Sequence, residues 1–451
     1  MLSRRWARRA LAPSILALSA CASEGDATRP DRRPNVLLIV VDALRSDTLG
    51  VNGYPLPTTP RLDRLAAEGV SLPRAHAHST WTKPSMATLF TSLYPPQHGL
   101  DYVAQDDHGV LSTRVLLDEV HTLAESLAGA GYQTAGVLDQ VHLQDRFGFR
   151  QGFADYADLM GTAAPELNRQ LFRWWEAKGR EPFFAYVHYL DAHWPYTHRV
   201  RDQDRLLFGP PHLPARPPRS AGRAEAWAEG LSAPEVAALR ARYDAEVSWV
   251  DAAIGALLDE LETRGLLADT LVVVTADHGE AFMEHGRIMH GHEPHRELTH
   301  VPLILRPPTG WTPFAPVEEV VGLVDVMPTL LDLLGLEVPA ACQGRSFAPA
   351  LRGEPLVPQP HYAEGAGAVA VRTRDLTLLY RDTHRYELFD TRDDPGETTP
   401  VLWPCAGPCE RLLRGAETYR ERMERRVGRR GRVLEALTAE DLAALRALGY
   451  L

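Results

Sequence analysis

The run Asn35-Val36-Leu37-Leu38-Ile39-Val40-Val41-Asp42 decides how the chain is read. Six apolar residues, most of them β-branched, stand in succession with no polar alternation. That pattern belongs to a strand covered on both faces, hence central and parallel. The strand stops at a carboxylate, Asp42.

Two further runs repeat the arrangement. Phe183-Phe184-Ala185-Tyr186-Val187-His188-Tyr189 runs into Asp191-Ala192-His193, and Leu271-Val272-Val273-Val274-Thr275 ends at Asp277-His278-Gly279-Glu280. Tyr132 to Leu138 reads as another strand and Leu303-Ile304-Leu305 as a shorter one. Between them lie helical patterns. One opens at Pro60 and ends near Gly69, one spans Leu116 to Ala130, and one begins at the capping box Ser232-Ala233-Pro234-Glu235. Another runs from Asp325 to Gly335. Alternating strands and helices give an α/β fold, with a large, mixed, mainly parallel sheet flanked by helices. Beyond residue 345 the pattern changes. The segments 369–372, 376–380 and 386–390 read as short antiparallel strands, and 410–432 as an Arg-rich helix with a solvated face. The expected division is a catalytic domain over 35–345 and a small antiparallel C-terminal subdomain over 346–451.

The first residues carry an address. Arg4, Arg5, Arg8 and Arg9 precede a short apolar run that ends Leu18-Ser19-Ala20-Cys21. Basic flank, apolar core and small residues before a cysteine resemble a bacterial lipoprotein signal, with residues 1–20 removed, Cys21 lipidated and 21–34 a polar tether. The expected location is the cell envelope, on the periplasmic side of a membrane, with the lipid as the membrane contact. Loss of residues 1–20 removes four arginines and no acid, taking the formal charge from −11 to −15. Such an acidic chain is a poor nucleic-acid binder. In an oxidising compartment Cys405 and Cys409 are close enough in sequence for a local disulfide, leaving Cys342 over.

Ligands of parallel α/β sheets gather at the carboxyl ends of the strands. Asp42, Asp191/His193 and Asp277/His278 should therefore converge, although they span more than 200 residues. Two carboxylates and an imidazole there favour a divalent cation, and mixed nitrogen and oxygen donors suit Zn²⁺ or Mn²⁺. A hydroxyl is expected beside them. In Ser79-Thr80-Trp81-Thr82-Lys83-Pro84-Ser85-Met86, Pro84 suits a first helical turn, and Thr82 falls near the N-cap. Free N–H groups and the helix dipole favour an anion at that point. An ordinary Thr cap has the same local sequence, and the neighbouring strand-end carboxylates add weight to the reading of Thr82 as a nucleophile. Asp42, Asp277, His278 and the Thr82 oxygen make the expected ligand set. Among the histidines, His193 and His290 are taken as substrate-facing; His285, His292, His295 and His300 are assigned to a surface loop.

Several further segments carry a resemblance. With 35–47, Thr59-Pro60-Arg61-Leu62-Asp63, Tyr94-Pro95-Pro96-Gln97-His98-Gly99, 191–196, 275–280, Gly344-Arg345-Ser346, 388–397 and Leu445-Arg446-Ala447-Leu448-Gly449-Tyr450, the chain resembles the sulfatase family of the alkaline-phosphatase superfamily. The resemblance implies hydrolysis of a sulfate or phosphate ester at a metal centre, and it also admits Ca²⁺. The chemistry departs from the family pattern at three places. Thr82 and Met86 stand where sulfatases have the Cys or Ser converted to formylglycine and its supporting Arg. Val41 replaces a first metal-binding Asp found in many members, and the lysine that steadies sulfate is missing around Gly136-Val137-Leu138-Asp139. An unmodified Thr with Asp, Asp and His is similar to phosphodiesterases and phosphotransferases of the same superfamily. Three readings stay open: an ester hydrolase of a small-molecule, glycan or lipid anionic ester, a phosphoryl-group transferase, and a degenerate domain that binds a glycan or lipid head group.

Overall fold

The computed structural model describes residues 33–100, 104–105, 111–178, 182–196, 221–381, 385–401, 406–427 and 434–447, with Phe208 and Pro218. The expected signal and tether, and most of the Pro- and Arg-rich stretch 198–222, lie outside these residues.

Seven strands form the main sheet: β1 (Asn35–Val41), β2 (Val70–Ser71), β3 (Gln133–Leu138), β4 (Asp155–Asp158), β5 (Phe183–Tyr189), β6 (Thr270–Thr275) and β7 (Leu303–Arg306). Their order is β2-β7-β6-β1-β5-β3-β4. β1 pairs in parallel with β5 on one side and β6 on the other, and every residue of all three strands is buried. Its continuous apolar run is thus explained by neighbours on both edges and helices on both faces. β7 and β2 run antiparallel at one edge, which makes the sheet mixed.

Helices α1 (Pro60–Glu68), α2 (Thr82–Thr91), α3 (Leu123–Gly129), α4 (Ala164–Lys178), α5 (Ala233–Thr263) and α6 (Val326–Leu333) accompany the sheet. α5 starts at Ser232 with the expected capping box. α1 is capped from a distance, since the Asp251 carboxylate accepts from the Arg61 and Leu62 amides. The helix expected from Leu116 is shorter. A capping box of Thr122 and Glu125 starts it at Leu123, and the Leu116 amide bonds instead to the Phe147 carbonyl. The apolar spacing of 116–120 reports burial in a connecting segment, not helix.

A second sheet has four antiparallel strands, β8 (His361–Gly365), β9 (Ala368–Arg372), β10 (Leu376–Arg381) and β11 (Tyr386–Asp390). Helix α7 (Pro408–Val427) packs on it through Cys409, Leu412, Ala416 and Tyr419. Cys409 is disulfide-bonded, while its expected partner Cys405 lies outside the described residues. Arg372 of β9 reaches back to Pro294 O and to the buried Glu397 carboxylate at 3.0 Å, which ties this sheet to the main domain.

Candidate active site

Register places the site. Val40 of β1 lies beside Thr275 of β6, and Val41 beside Tyr189 of β5. The residues that follow each strand therefore emerge together at one edge. The Asp42 amide bonds to Tyr189 O, and the amides of Ala43 and His278 both donate to Asp277 Oδ1. Ala43 adopts φ 59°, and this turn brings its N–H onto Asp277.

Asp42, Asp277 and His278 are fully buried, and one donor atom from each lies within 4.8 Å of the other two. His278 Nδ1 is 2.8 Å from Gly279 O, which can only accept, so that nitrogen carries a proton. Its Nε2 stands 3.5 Å from Asp42 Oδ1 and 3.4 Å from Asp277 Oδ2. These two carboxylate oxygens are buried, and neither makes a hydrogen bond among the described residues. Against burial, the imidazoles of His193, His188 and His278 hold the Asp42 carboxyl well below the usual carboxylate range. Burial and the charge of Asp42 push Asp277 up. Converging, anionic, unsatisfied oxygens beside an imidazole lone pair fit a divalent cation.

Thr82 is the first residue of α2, whose N-cap is Trp81. Its Oγ1 lies 3.3 Å from His278 Nε2. The hydroxyl is thus next to the triad and at the amide-rich end of a wholly buried helix. The His193 and His290 rings are 4.7 Å apart, and His290 is 4.4 Å from the His278 ring. His193 Nδ1 donates to Trp194 O, and His290 Nδ1 is 3.3 Å from the Glu280 carboxylate. Burial pushes His290 down and Glu280 up, so both favour their neutral forms. Asp42, Thr82, His193, Asp277, His278 and His290 are therefore gathered in one place.

Asp191 is turned elsewhere: its Oδ1 accepts from Trp249 Nε1 and the Ala164 amide. The surface-loop assignment of the remaining histidines is corrected in part. His295 and His300 are buried: His295 stacks on His285 at 3.6 Å and lies 6.3 Å from the Phe389 ring of the second sheet, and His300 bonds Pro73 O within the main domain.

Three contributors were not read from sequence. Gln140 donates from Nε2 to Asp42 Oδ2 at 2.5 Å, and its Oε1 accepts the His142 amide. His188 bridges Tyr186 OH, at 2.7 Å, and Asp42 Oδ2, at 3.5 Å. Lys83 is a buried cation one residue from Thr82, bonded to Thr113 Oγ1 at 2.7 Å, with its Nζ 4.2 Å from the Phe147 ring centre. His188 had a signal, being an imidazole inside an otherwise apolar strand. Gln140 and His142 directly follow Gly136-Val137-Leu138-Asp139, the segment around which the sulfatase lysine is missing.

The mixed sheet that carries these strand-end carboxylates, the imidazole and the helix-terminal hydroxyl has the fold of a protein in the alkaline phosphatase superfamily from Vibrio parahaemolyticus, with a TM-score of 0.62 at 18% identity over 88% of this chain and 89% of that one. The sulfatase model matches residues 34–336, and the chain belongs to the sulfatase family. A model described as N-sulphoglucosamine sulphohydrolase, C-terminal, matches 284–403. The chain is 24% identical to an N-acetylglucosamine-6-O-sulfatase of Bacteroides thetaiotaomicron, over 86% of each chain. It is 28% identical to N-acetylgalactosamine-6-sulfatase of Canis lupus familiaris, over 79% of this chain and 73% of the other. Among solved structures, phosphonate monoester hydrolase of Agrobacterium radiobacter superposes with a TM-score of 0.67 at 21% identity, over 87% of this chain and 96% of that one. As a member of this family the protein is an enzyme that hydrolyses sulfate or phosphate esters.

Proposed function

We propose that the enzyme cleaves a phosphate ester with unmodified Thr82 as nucleophile, beside a divalent cation held by Asp42, Asp277, His278 and the Thr82 oxygen. The observation that carries this reading is the 3.3 Å approach of Thr82 Oγ1 to His278 Nε2, within a triad in which Asp42 Oδ1 and Asp277 Oδ2 make no hydrogen bond among the described residues. When bound, such a cation lowers the pKa of a coordinated hydroxyl and polarises an ester oxygen. The mixed donor set favours Zn²⁺ or Mn²⁺ over Ca²⁺.

The chain's own groups do the rest. Thr82 Oγ1 gives up its proton and bonds to phosphorus as the P–O bond to the alcohol breaks. Water then attacks phosphorus and the Thr82 Oγ1–P bond breaks. Each half-reaction moves one proton from the attacking to the departing oxygen. His193 and His290, packed around His278, are the imidazoles to carry it. The amides at the start of α2 and Lys83 behind them supply positive potential for the anion.

A sulfate ester of a sugar is the second reading, supported by the names of the two relatives above. A Thr sulfate can be resolved only by attack at sulfur, whereas the hydrate of formylglycine expels sulfate as a hemiacetal. This difference favours phosphorus for Thr82. Assays of purified protein with Zn²⁺, Mn²⁺ or Ca²⁺ on nitrophenyl phosphate, a phosphodiester, a phosphonate and nitrophenyl sulfate decide between them. Turnover of sulfate alone would reject the phosphoryl assignment, and equal turnover by Thr82→Ala would reject the nucleophile.

We further propose that the enzyme acts as an exported lipoprotein anchored through Cys21; the support is the sequence of residues 1–34. Labelled palmitate should enter the parent and not Cys21→Ser.

A further inference from the structure

Two structural supports of the site meet one distant segment. The first is Lys83, adjacent to Thr82, whose Nζ donates to Thr113 Oγ1. Thr113 lies on a strand (Leu111–Arg114) that pairs antiparallel with Leu434–Ala436, Thr113 in register with Glu435. The second is the loop after β3, which carries Gln140 against the Asp42 carboxylate. Its Val141 packs with Leu445 and with Leu190, the residue after β5, in a small apolar cluster separate from the main core. Leu445 is 1% exposed. It belongs to a helix, Ala439–Ala447, whose Asp441 caps the Thr438 amide and pairs with Arg146.

Arg146 and Lys83 both stack on the Phe147 ring, at 4.5 and 4.2 Å from its centre. Phe147 thus links the two supports, and Leu434–Ala447 backs both. Strand pairing holds the partner of Lys83, and helix docking holds the loop that carries Gln140.

We propose that Leu434–Ala447 is a positioning strap for the active site. When docked, it fixes Lys83 beside Thr82 and Gln140 against Asp42, so that hydrolysis requires the strap in place. A three-residue strand pairing, a small cluster and one ion pair are a modest attachment, and local opening there costs less than global unfolding. Misplacement of catalytic groups by about 1 Å can cost about 10²-fold in rate. The strap touches none of the reacting atoms, so its loss should fall on kcat and spare KM.

The inference rests on the hydrolase reading, and one readout is independent of it. Asp441→Arg places a cation against Arg146, and Leu445→Ala trims the apolar contact without adding charge. Both variants should melt cooperatively, lose about tenfold or more in kcat on whichever nitrophenyl ester the parent turns over, and change KM by less than about threefold. Hydrogen exchange should accelerate in 78–90 and 138–147, and this holds even if the parent turns over neither ester. Leu445→Met keeps the apolar contact and should hold kcat and protection near the parent. Parental kcat and exchange in both Asp441→Arg and Leu445→Ala would overturn the proposal. A Leu445→Met variant that loses as much kcat as Leu445→Ala would do the same.

Discussion

Replacing Asp277 with Asn should act in opposite directions on the metal-free and the metal-loaded protein. Asp42 and Asp277 bring carboxylate oxygens within 4.8 Å of each other in a fully buried site. At an effective dielectric near 20, two unit charges at that distance repel by about 3 kcal/mol. The Asp277→Asn change keeps the shape and removes the repulsion, and the amide carbonyl can still accept from the Ala43 and His278 amides. Part of the gain is offset because burial and the Asp42 charge already push the Asp277 carboxyl up. The metal-free variant should therefore be more stable than the parent by about 1–2 kcal/mol. Adding cation reverses the order. A ligand at 100 times its Kd stabilises the native state by about 2.7 kcal/mol, and the variant has lost one of its two anionic ligands. Denaturant titrations of EDTA-treated protein, repeated across a Zn²⁺ or Mn²⁺ series with metal content measured by mass spectrometry, read both effects. Equal cation-dependent gains in parent and variant would refute the assigned ligand set. A metal-free Asp277→Asn protein less stable than the parent would refute the electrostatic argument.

Other consequences are open to measurement. Thr82→Ala should lower kcat by about 10³-fold or more while leaving metal content unchanged; a smaller loss would mean that another group attacks. Arg372→Ala leaves the buried Glu397 carboxylate without its guanidinium and should cost about 3–5 kcal/mol, seen as a lower urea midpoint. Burial, with Arg345 nearby, pushes the His361 imidazole down to about 3. Unfolded, it takes up its proton near 6.5, so the unfolded state binds more protons below that pH and stability falls as pH drops from 6.5 toward 3. His361→Gln removes this uptake and should flatten stability against pH by about 1.4 kcal/mol per unit between pH 6 and 4. Parallel curves for parent and variant would contradict the depressed value.

The legible parts of this molecule share a physical origin. β1, β5 and β6 are buried on both faces, so burial itself wrote their apolar runs into the sequence. A polar residue at the end of such a run is conspicuous for the same reason, which is why Asp42, Asp277 and His278 could be named before any coordinates. Capping chemistry located α5, since Ser232 and Glu235 satisfy each other within one turn. Helical spacing alone, read without the Thr122 and Glu125 capping box, placed the start of α3 too early.

What the sequence by itself determined is therefore local and periodic: strand, strand end, helix start, and a hydroxyl at a helix mouth. Tertiary structure decided everything that depends on distance across the chain. Asp191 and His193 are two residues apart after one strand, yet Asp191 braces Trp249 while His193 packs on His290. Gln140 and Lys83 carry no pattern of their own, and only the packing around Asp42 and Phe147 gives them a place in the site. Of the histidines assigned to an exposed loop, His295 is buried against Phe389 of the second sheet and His300 against Pro73, while His285 and His292 are only half-buried. Contacts between segments hundreds of residues apart leave no periodic trace in either one, so they become readable only once the sheet has set its register.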